Sequence, residues 1–335
     1  MERESQFVGE SGAFLDAVEQ ASRAAPLNRP VLVIGERGTG KELIAERLHR
    51  LSQRWEGPLI TLNCAALPET LIEAELFGHE AGAFTGATRA RAGAFEEADN
   101  GTLFLDELAT LSAAAQERLL RAVEYGEVNR IGSNRPIRVD VRIVAATNEN
   151  LPDLVARSEF RADLLDRLSF EVVTLPPLRV REGDILILAD YFGRRMAVEL
   201  DWPGWRGFGD NAVKALLAHD WPGNVRELRN VVERAIYRWR APGDPVDTIQ
   251  LDPFDSPWQM PVAATAPAAD TAPEASPAKP RTVVSDFKAA IESYEREILE
   301  AALERARYNQ RQTAKALGLS YDQLRHALKR HDMIG

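Results

Sequence analysis

The chain is 335 residues long, with 45% hydrophobic and 27% charged side chains, the composition of a globular protein of about two domains. No run of ~18 apolar residues occurs, so no membrane-spanning helix is expected, and the first ten residues lack the apolar core of a secretory signal. Cys64 is the only cysteine, which excludes an internal disulfide and leads us to expect a cytoplasmic protein.

The net charge of −10 is unevenly spread. The window 305–331 holds seven Lys or Arg and one acid, Asp322, so it carries +6 and leaves −16 on the rest. That asymmetry predicts a small basic module on an acidic body.

In chain order, the first strong signal is the apolar run Val31-Leu32-Val33-Ile34, followed by Gly35-Glu36-Arg37-Gly38-Thr39-Gly40-Lys41 and a helical pattern over 42–51. A strand, a G-x-x-x-x-G-K loop and a helix start form a phosphate cradle. Gly35, Gly38 and Gly40 let the backbone around Glu36 and Thr39 turn its N–H groups inward, and Lys41 adds a point charge. Glu42 stands where the general motif has a metal-binding hydroxyl, which speaks against the usual contact there. A second strand is expected at 59–62 and a third at 102–105, ending in Asp106-Glu107. Asp106 is placed to hold Mg2+ and Glu107 to polarise water for attack on ATP. A fourth strand, 141–146, leads into Thr147-Asn148, which sets the Asn148 amide near the γ-phosphate. Short apolar strands alternating with helices predict a parallel sheet covered on both faces, an α/β fold.

Arg161 and Arg167 are six apart, about 120° around one regular helix. Two readings stand: a surface pair of Arg167 with Asp163, or cations that reach a neighbouring subunit's nucleotide. From about residue 184 the strands stop and a smaller α-helical subdomain is expected. Its stretch 221–228 reads as a helix start, with Asn224 as N-cap, Glu227 three residues on, and Arg226 in the first turn within reach of a phosphate. Over 257–280, 14 of 24 residues are Pro or Ala, too few large apolar groups to fold, so an extended tether is expected.

Beyond the tether, Ile291, Tyr294, Ile298, Leu299, Ala302 and Leu303 have the spacing of a long helix. A short helix after Asn309, a turn holding Gly318 and a second helix capped by Ser320 then form a helix-turn-helix, which resembles the Fis type. Ser320 and Tyr321 open the second helix. Asp322, Gln323, Arg325 and His326 are the candidates to face a DNA groove, with Lys329 and Arg330 on phosphates. A dimerisation module without DNA is the competing reading, which the +6 window opposes.

One segment is more distinctive than any of these. In Gly82-Ala83-Phe84-Thr85-Gly86-Ala87 there is no charge, and Phe84 is its one large side chain. Composition leaves open a buried tight turn or an exposed contact tip. The hexapeptide resembles the signature of the bacterial sigma-54 activators, the enhancer-binding branch of the AAA+ ATPases. The loop 35–42, the strand 101–107, and the stretches 160–167 and 221–228 resemble that family as well, over essentially the whole chain.

The resemblance implies an AAA+ P-loop subdomain over 7–175, an α-helical lid over 176–254, a linker over 255–282 and a DNA-binding helix-turn-helix over 283–335. It implies that Glu42 is normal for ATP use, and that Asn63 restrains Glu107. It makes Arg161 and Arg167 trans-acting fingers, Arg226 a second sensor, and residues 82–87, led by Phe84 and Thr85, the grip on sigma-54 RNA polymerase. It also implies a ring, typically a hexamer, bound to enhancer DNA. With the body beginning by Phe7-Val8-Gly9, no receiver domain is expected, and control comes from expression level or a partner in trans. That layout resembles the phage-shock branch of the family. Trp55, in Arg54-Trp55-Glu56-Gly57-Pro58, resembles the contact for an inhibitor, phage shock protein A.

Overall fold

The computed structural model describes residues 7–254, with 295–296, 299–303, 306, 309–331 and 333 of the C-terminal part. The expected tether, the helix positions Ile291, Tyr294 and Ile298, and the cations Arg305 and Arg307 lie outside the described residues. The chain divides into two compact units, 1–257 and 258–335.

The first unit opens with α1 (Gly12–Ala24), β1 (Val31–Ile34), α2 (Lys41–Arg50), β2 (Leu59–Asn63), α3 (Glu69–Phe77), α4 (Ala94–Glu97) and β3 (Thr102–Asp106). It continues with α5 (Ala113–Tyr125), a hairpin of β4 (Glu127–Asn129) and β5 (Pro136–Arg138), β6 (Arg142–Thr147), α6 (Leu151–Ala156), α7 (Ala162–Leu168) and β7 (Glu171–Thr174). β1, β2, β3, β6 and β7 make one parallel sheet in the order β2-β3-β6-β1-β7.

Side chains alternate across that sheet, as the pleat requires. Leu32, Leu103, Leu105, Ile143 and Ala145 pack with Phe77, Phe95, Leu119 and Leu164 from α3, α4, α5 and α7. Val31, Val33, Phe104, Val144 and Ala146 point the other way, onto Ala17 and Ala21 of α1 and Ile44 and Leu48 of α2. The central strands β1, β3 and β6 are therefore dry on both faces, which is why they read as continuous apolar runs. β7 was not anticipated. Of its four residues Val173 alone is fully buried, at the sheet edge beside β1, so its run is too short to stand out.

One charge is built into this core. Arg142, the first residue of β6, is 3% exposed. Its guanidinium donates to the carbonyls of Ala24 and Ala25 at 3.0 and 2.7 Å and of Leu48 at 3.2 Å. It thereby satisfies the C-terminal carbonyls of α1 and α2, where a cation is favoured.

The rest of the unit is helical: α8 (Asp184–Glu199), α9 (Asp210–Ala218) and α10 (Asn224–Arg238) close around Trp221, which is fully buried and donates its indole N–H to the Leu216 carbonyl at 2.9 Å.

In the second unit, α11 (Gln310–Ala316) is capped by Asn309, and α12 (Tyr321–Arg330) begins with a capping box. There the Ser320 hydroxyl accepts from the Gln323 N–H at 3.2 Å, and the Gln323 amide oxygen accepts from the Ser320 N–H at 2.9 Å. The turn between them uses Gly318 at φ +66°. Leu299, Leu303, Ala314, Leu324 and Leu328 form its core.

Candidate active site

The loop after β1 is anchored to the sheet by the Gly35 N–H, which donates to the Thr147 carbonyl at 3.2 Å. It then needs two left-handed residues, Gly38 at φ +78° and Gly40 at φ +102°. Gly38 is required sterically as well, because a Cβ there would stand 2.3 Å from the Gly223 carbonyl oxygen. Lys41 starts α2, 7% exposed, and its ammonium donates to the Gly35 carbonyl at 2.9 Å. Burial pushes this ammonium below its ordinary value, against the opposing pull of Glu107 and Asp106. The first turn of α2 leaves backbone N–H groups pointing into the same space.

β3 ends in the two acids. Glu107 adopts a left-handed conformation, φ +53°, and its N–H donates to the Asp106 Oδ1 at 3.0 Å. This strained turn directs the Glu107 carboxylate to the loop, 3.6 Å from the Arg37 Nε. Loop and acids face each other across a cleft of about 390 Å3. Its polar end is lined by Arg37, Gly38, Thr39, Gly40, Lys41, Glu42, Asp106 and Glu107, with Arg226 reaching in from α10. Its apolar end is made by Phe7, Val8 and Phe14 with Leu188, Tyr191 and Phe192 of α8, and Arg181, Arg195 and Arg229 complete the rim. No local sequence pattern marks this second wall. The one available signal was the Phe7-Val8 pair ahead of α1, whose partners come from a helix far along the chain.

Of the residues expected around the chain's own nucleotide, four lie outside the lining. Gly35 sits behind the loop, and Glu36 turns outward to the lid, where Arg179 meets it with two bonds of 2.6 and 2.9 Å. Arg179, then Asn224, hold the Glu36 carboxyl down at about 2. Asn148 follows β6, half-buried. Asn63 stands beside Asp106 in the β2–β3 register, and its side-chain oxygen accepts from the Ala65 N–H at 2.9 Å.

The expected start of α10 needs correction. Gly223, not Asn224, is the N-cap. The Glu227 carboxylate accepts from the Gly223 N–H at 2.7 Å, a one-way bond, because glycine has no side chain to return it. Asn224, fully buried at φ +53°, instead spends its side chain on distant loops. The expected surface pair of Arg167 with Asp163 is also corrected. Arg161 precedes α7 as its N-cap and binds Asp163 at 2.7 Å, while Arg167 binds Glu124 at 2.7 Å. The two arginines therefore do not share one regular helix, and neither lines the cleft of its own chain.

Residues 82–87 form an exposed tip, not a buried turn. The Gly82 N–H donates to the Ala87 carbonyl at 2.7 Å, closing the loop, and Gly82 and Gly86 are left-handed at +80° and +104°. Ala87 is buried, Thr85 is exposed, and Phe84 is 37% exposed with its ring edge-on to His79 at 5.0 Å. Trp55 is 61% exposed, on a loop held by Arg54, which bonds the Asp140 carbonyl at 2.8 Å. In the second unit, Asp322, Arg325, His326 and Lys329 lie along α12 around its buried Leu324 and Leu328. Ser320 and Gln323 are engaged in the cap, the Tyr321 hydroxyl donates to Gln310 at 3.2 Å, and Arg330 pairs with Glu295.

A phosphate-loop sheet, a strand-end acid pair, a helical lid and a Fis-type helix-turn-helix define an AAA+ ATPase that activates transcription. The Sigma-54 interaction domain family matches residues 7–174, the AAA+ ATPase lid domain 179–253, and the Fis family of bacterial regulatory proteins 290–331. The chain belongs to the sigma-54 activator family. It is 50% identical over 332 residues to the Psp operon transcriptional activator of Escherichia coli strain K12, covering 99% of each chain. It is 42% identical over 323 residues to the transcriptional regulatory protein ZraR of Salmonella typhimurium, covering 96% of this chain and 68% of that one. Among solved structures, NtrX from Brucella abortus in complex with ATP aligns with a TM-score of 0.68 and 34% identity, over 98% of this chain and 70% of that one. Among the described residues no helix is long and apolar enough to cross a membrane.

Proposed function

We infer that this cytoplasmic activator binds ATP with the loop 35–41, hydrolyses it in a ring, and uses the stroke of residues 82–87 to remodel sigma-54 polymerase. A hexamer is the ring we favour. The domains we assign are 7–175, 176–254 and 283–335, with 255–282 as tether. What carries the reading is the meeting of Lys41, Asp106, Glu107 and Arg226 in one cleft, on the same unit as an exposed glycine-hinged tip.

In this reading Lys41 and the N–H groups of the loop and first turn of α2 hold the β- and γ-phosphates, while the apolar wall receives the base. Glu107 takes a proton from the attacking water as its oxygen bonds to the γ-phosphorus. The bond to the β–γ bridging oxygen breaks, and ADP leaves with that electron pair. Arg226 steadies the phosphates from the lid, Asn148 does so from the sheet edge, and Asn63 tempers Glu107. Arg161 and Arg167, turned away from their own cleft, serve the neighbouring subunit. Asp106 would hold Mg2+, which when bound offsets charge on the phosphate oxygens. Among the described residues no three His, Cys, Asp or Glu cluster as a metal cage, which suits a cation held by one carboxylate, phosphates and water.

The likeness to the Psp operon activator supports phage-shock genes as targets, enhancer contacts by α12, and Trp55 as the docking point for an inhibitor resembling phage shock protein A. The test is promoter opening with purified sigma-54 polymerase, comparing ATP with a non-hydrolysable analogue and the intact chain with Thr85→Ala. Opening with ATP alone, lost in Thr85→Ala while ATP turnover persists, is the expected result. Turnover without opening under any condition would assign the motor another substrate, and opening by Glu107→Gln would reduce the nucleotide to a switch of assembly.

A further inference from the structure

Glu36 lies inside the phosphate-binding loop yet faces away from the cleft. Its carboxylate accepts two bonds from Arg179, at 2.6 and 2.9 Å, and a third from the Asn224 Nδ2 at 3.0 Å. Asn224 is the hub of this group. The same Nδ2 donates to the Arg37 carbonyl at 3.0 Å, and its Oδ1 accepts from the Leu178 N–H at 2.8 Å. Next along the chain, the Val225 N–H donates to the Gly38 carbonyl at 3.0 Å. The residue after that is Arg226.

Three segments therefore meet behind the loop: the loop itself, the 3-10 turn Leu178–Val180, and the start of α10. Asn224 is fully buried and held at φ +53°, a conformation a non-glycine residue keeps only when its surroundings impose it. Every polar atom of its side chain is used, so the hub tolerates little displacement. The Glu36–Arg179 pair is half-exposed on both sides, so on its own it adds little to stability. Its geometry fits a different task, fixing the lid against the loop.

We propose that Glu36, Arg179 and Asn224 form a clasp that sets the lid on the phosphate loop and thereby aims Arg226 into the cleft. All three are positioning residues for hydrolysis. This rests on reading Arg226 and the loop as nucleotide contacts. Nucleotide held by the loop stiffens one jaw of the clasp, and the other jaw carries Arg226, so occupancy and lid position are coupled through these bonds.

The test uses the full chain. Affinity for a fluorescent ADP analogue, and kcat and KM for ATP, are measured for Glu36→Gln, Arg226→Ala and the double variant, with thermal melts alongside. Glu36→Gln is expected to weaken ADP binding and lower kcat by about tenfold, because a small misplacement of a distant group is costly. Its melt should stay close to that of the parent. In the double variant the loss should equal that of Arg226→Ala alone, because both changes remove the same contact. If Glu36→Gln leaves affinity and kcat unchanged, or if the two losses multiply, the clasp is overturned while Arg226 keeps its role. If Arg226→Ala is itself without effect, the nucleotide reading of Arg226 falls and takes the clasp with it. Should Glu36→Gln fail to fold, Arg179→Gln, which leaves the phosphate loop itself unaltered, gives the same comparison.

Discussion

Lys41 donates its ammonium to the carbonyl oxygen of Gly35, 2.9 Å away, so the cleft's central cation closes the very loop that carries it. The side chain is thus already aimed along the inside of the loop, and little reorganisation separates this state from one holding phosphates. Replacing it removes both the closure and the charge. Lys41→Ala is expected to lower ATP turnover by about 100-fold or more, the usual consequence of losing one preorganised electrostatic contact. Steady-state phosphate release checks this, with cooperative unfolding retained as the control.

Glu107→Gln keeps the size of the side chain and removes its basicity. Turnover should fall by about 10²–10⁴-fold, the range for losing a general base, with ADP affinity held within about threefold. Equilibrium ADP binding set against kcat makes the distinction. A comparable loss in both would make Glu107 a binding group.

His49 gives the fold a pH dependence of its own. It is 6% exposed, its Nδ1 lies 3.0 Å from the Thr102 hydroxyl, and burial, then Arg142 and Arg50, push its pKa below the ordinary 6.5. The folded ring stays neutral where the unfolded ring takes a proton. Stability from this site is therefore complete above pH 6.5 and declines as pH falls below it, by at most about 1.4 kcal/mol per pH unit. Denaturant titrations between neutral and mildly acidic pH should show this decline, and His49→Gln should flatten it.

Among the described residues Arg142 is a structural cation without an ion-pair partner, bonded to carbonyls instead. Burial, then Arg54, lowers its pKa to about 10, so it stays charged at neutral pH. Arg142→Leu would strand buried helix-end carbonyls, each worth about 1–3 kcal/mol, so a loss above about 3 kcal/mol is expected. Chemical denaturation measures it.

Cys64 serves as a reporter of opening. Burial, then the charges of Asp106 and Glu107, push its thiol from 9.0 up to about 12. At mildly alkaline pH its thiolate is scarcer than that of an unfolded chain by about a thousandfold, and alkylation should slow accordingly. Iodoacetamide labelling across a denaturant series should follow global unfolding.

What the sequence discloses is what depends on neighbours in the chain. β1 with its glycine loop and β3 with its terminal acids are legible because strand, turn and chemistry occupy a dozen consecutive residues. The Ser320 cap of α12 is legible for the same reason. Asn224 reads as a helix cap because local pattern favours it, and distant loops claim its amide instead. Arg142 opens an apolar run as if at a surface, and only the convergence of α1 and α2 accounts for its burial. β7 has too few apolar residues to declare itself before β1 pairs with it. The apolar wall of the cleft joins Phe7 to Phe192, a pairing no local pattern encodes.

The strand order has a last consequence, for charge. β6 lies between β1 and β3, so the cationic loop and the acid pair stand two strand spacings apart, about 9.6 Å. Were those two strands neighbours, the buried Lys41 would be brought closer to the acids, and an incoming anion would have to compete with them for it. With six buried residues of β6 as a spacer, only the long Arg37 side chain crosses from the loop to the acids, meeting Glu107 at 3.6 Å. The sheet is an insulator between two poles, and what bridges them is the phosphate chain that the enzyme cuts.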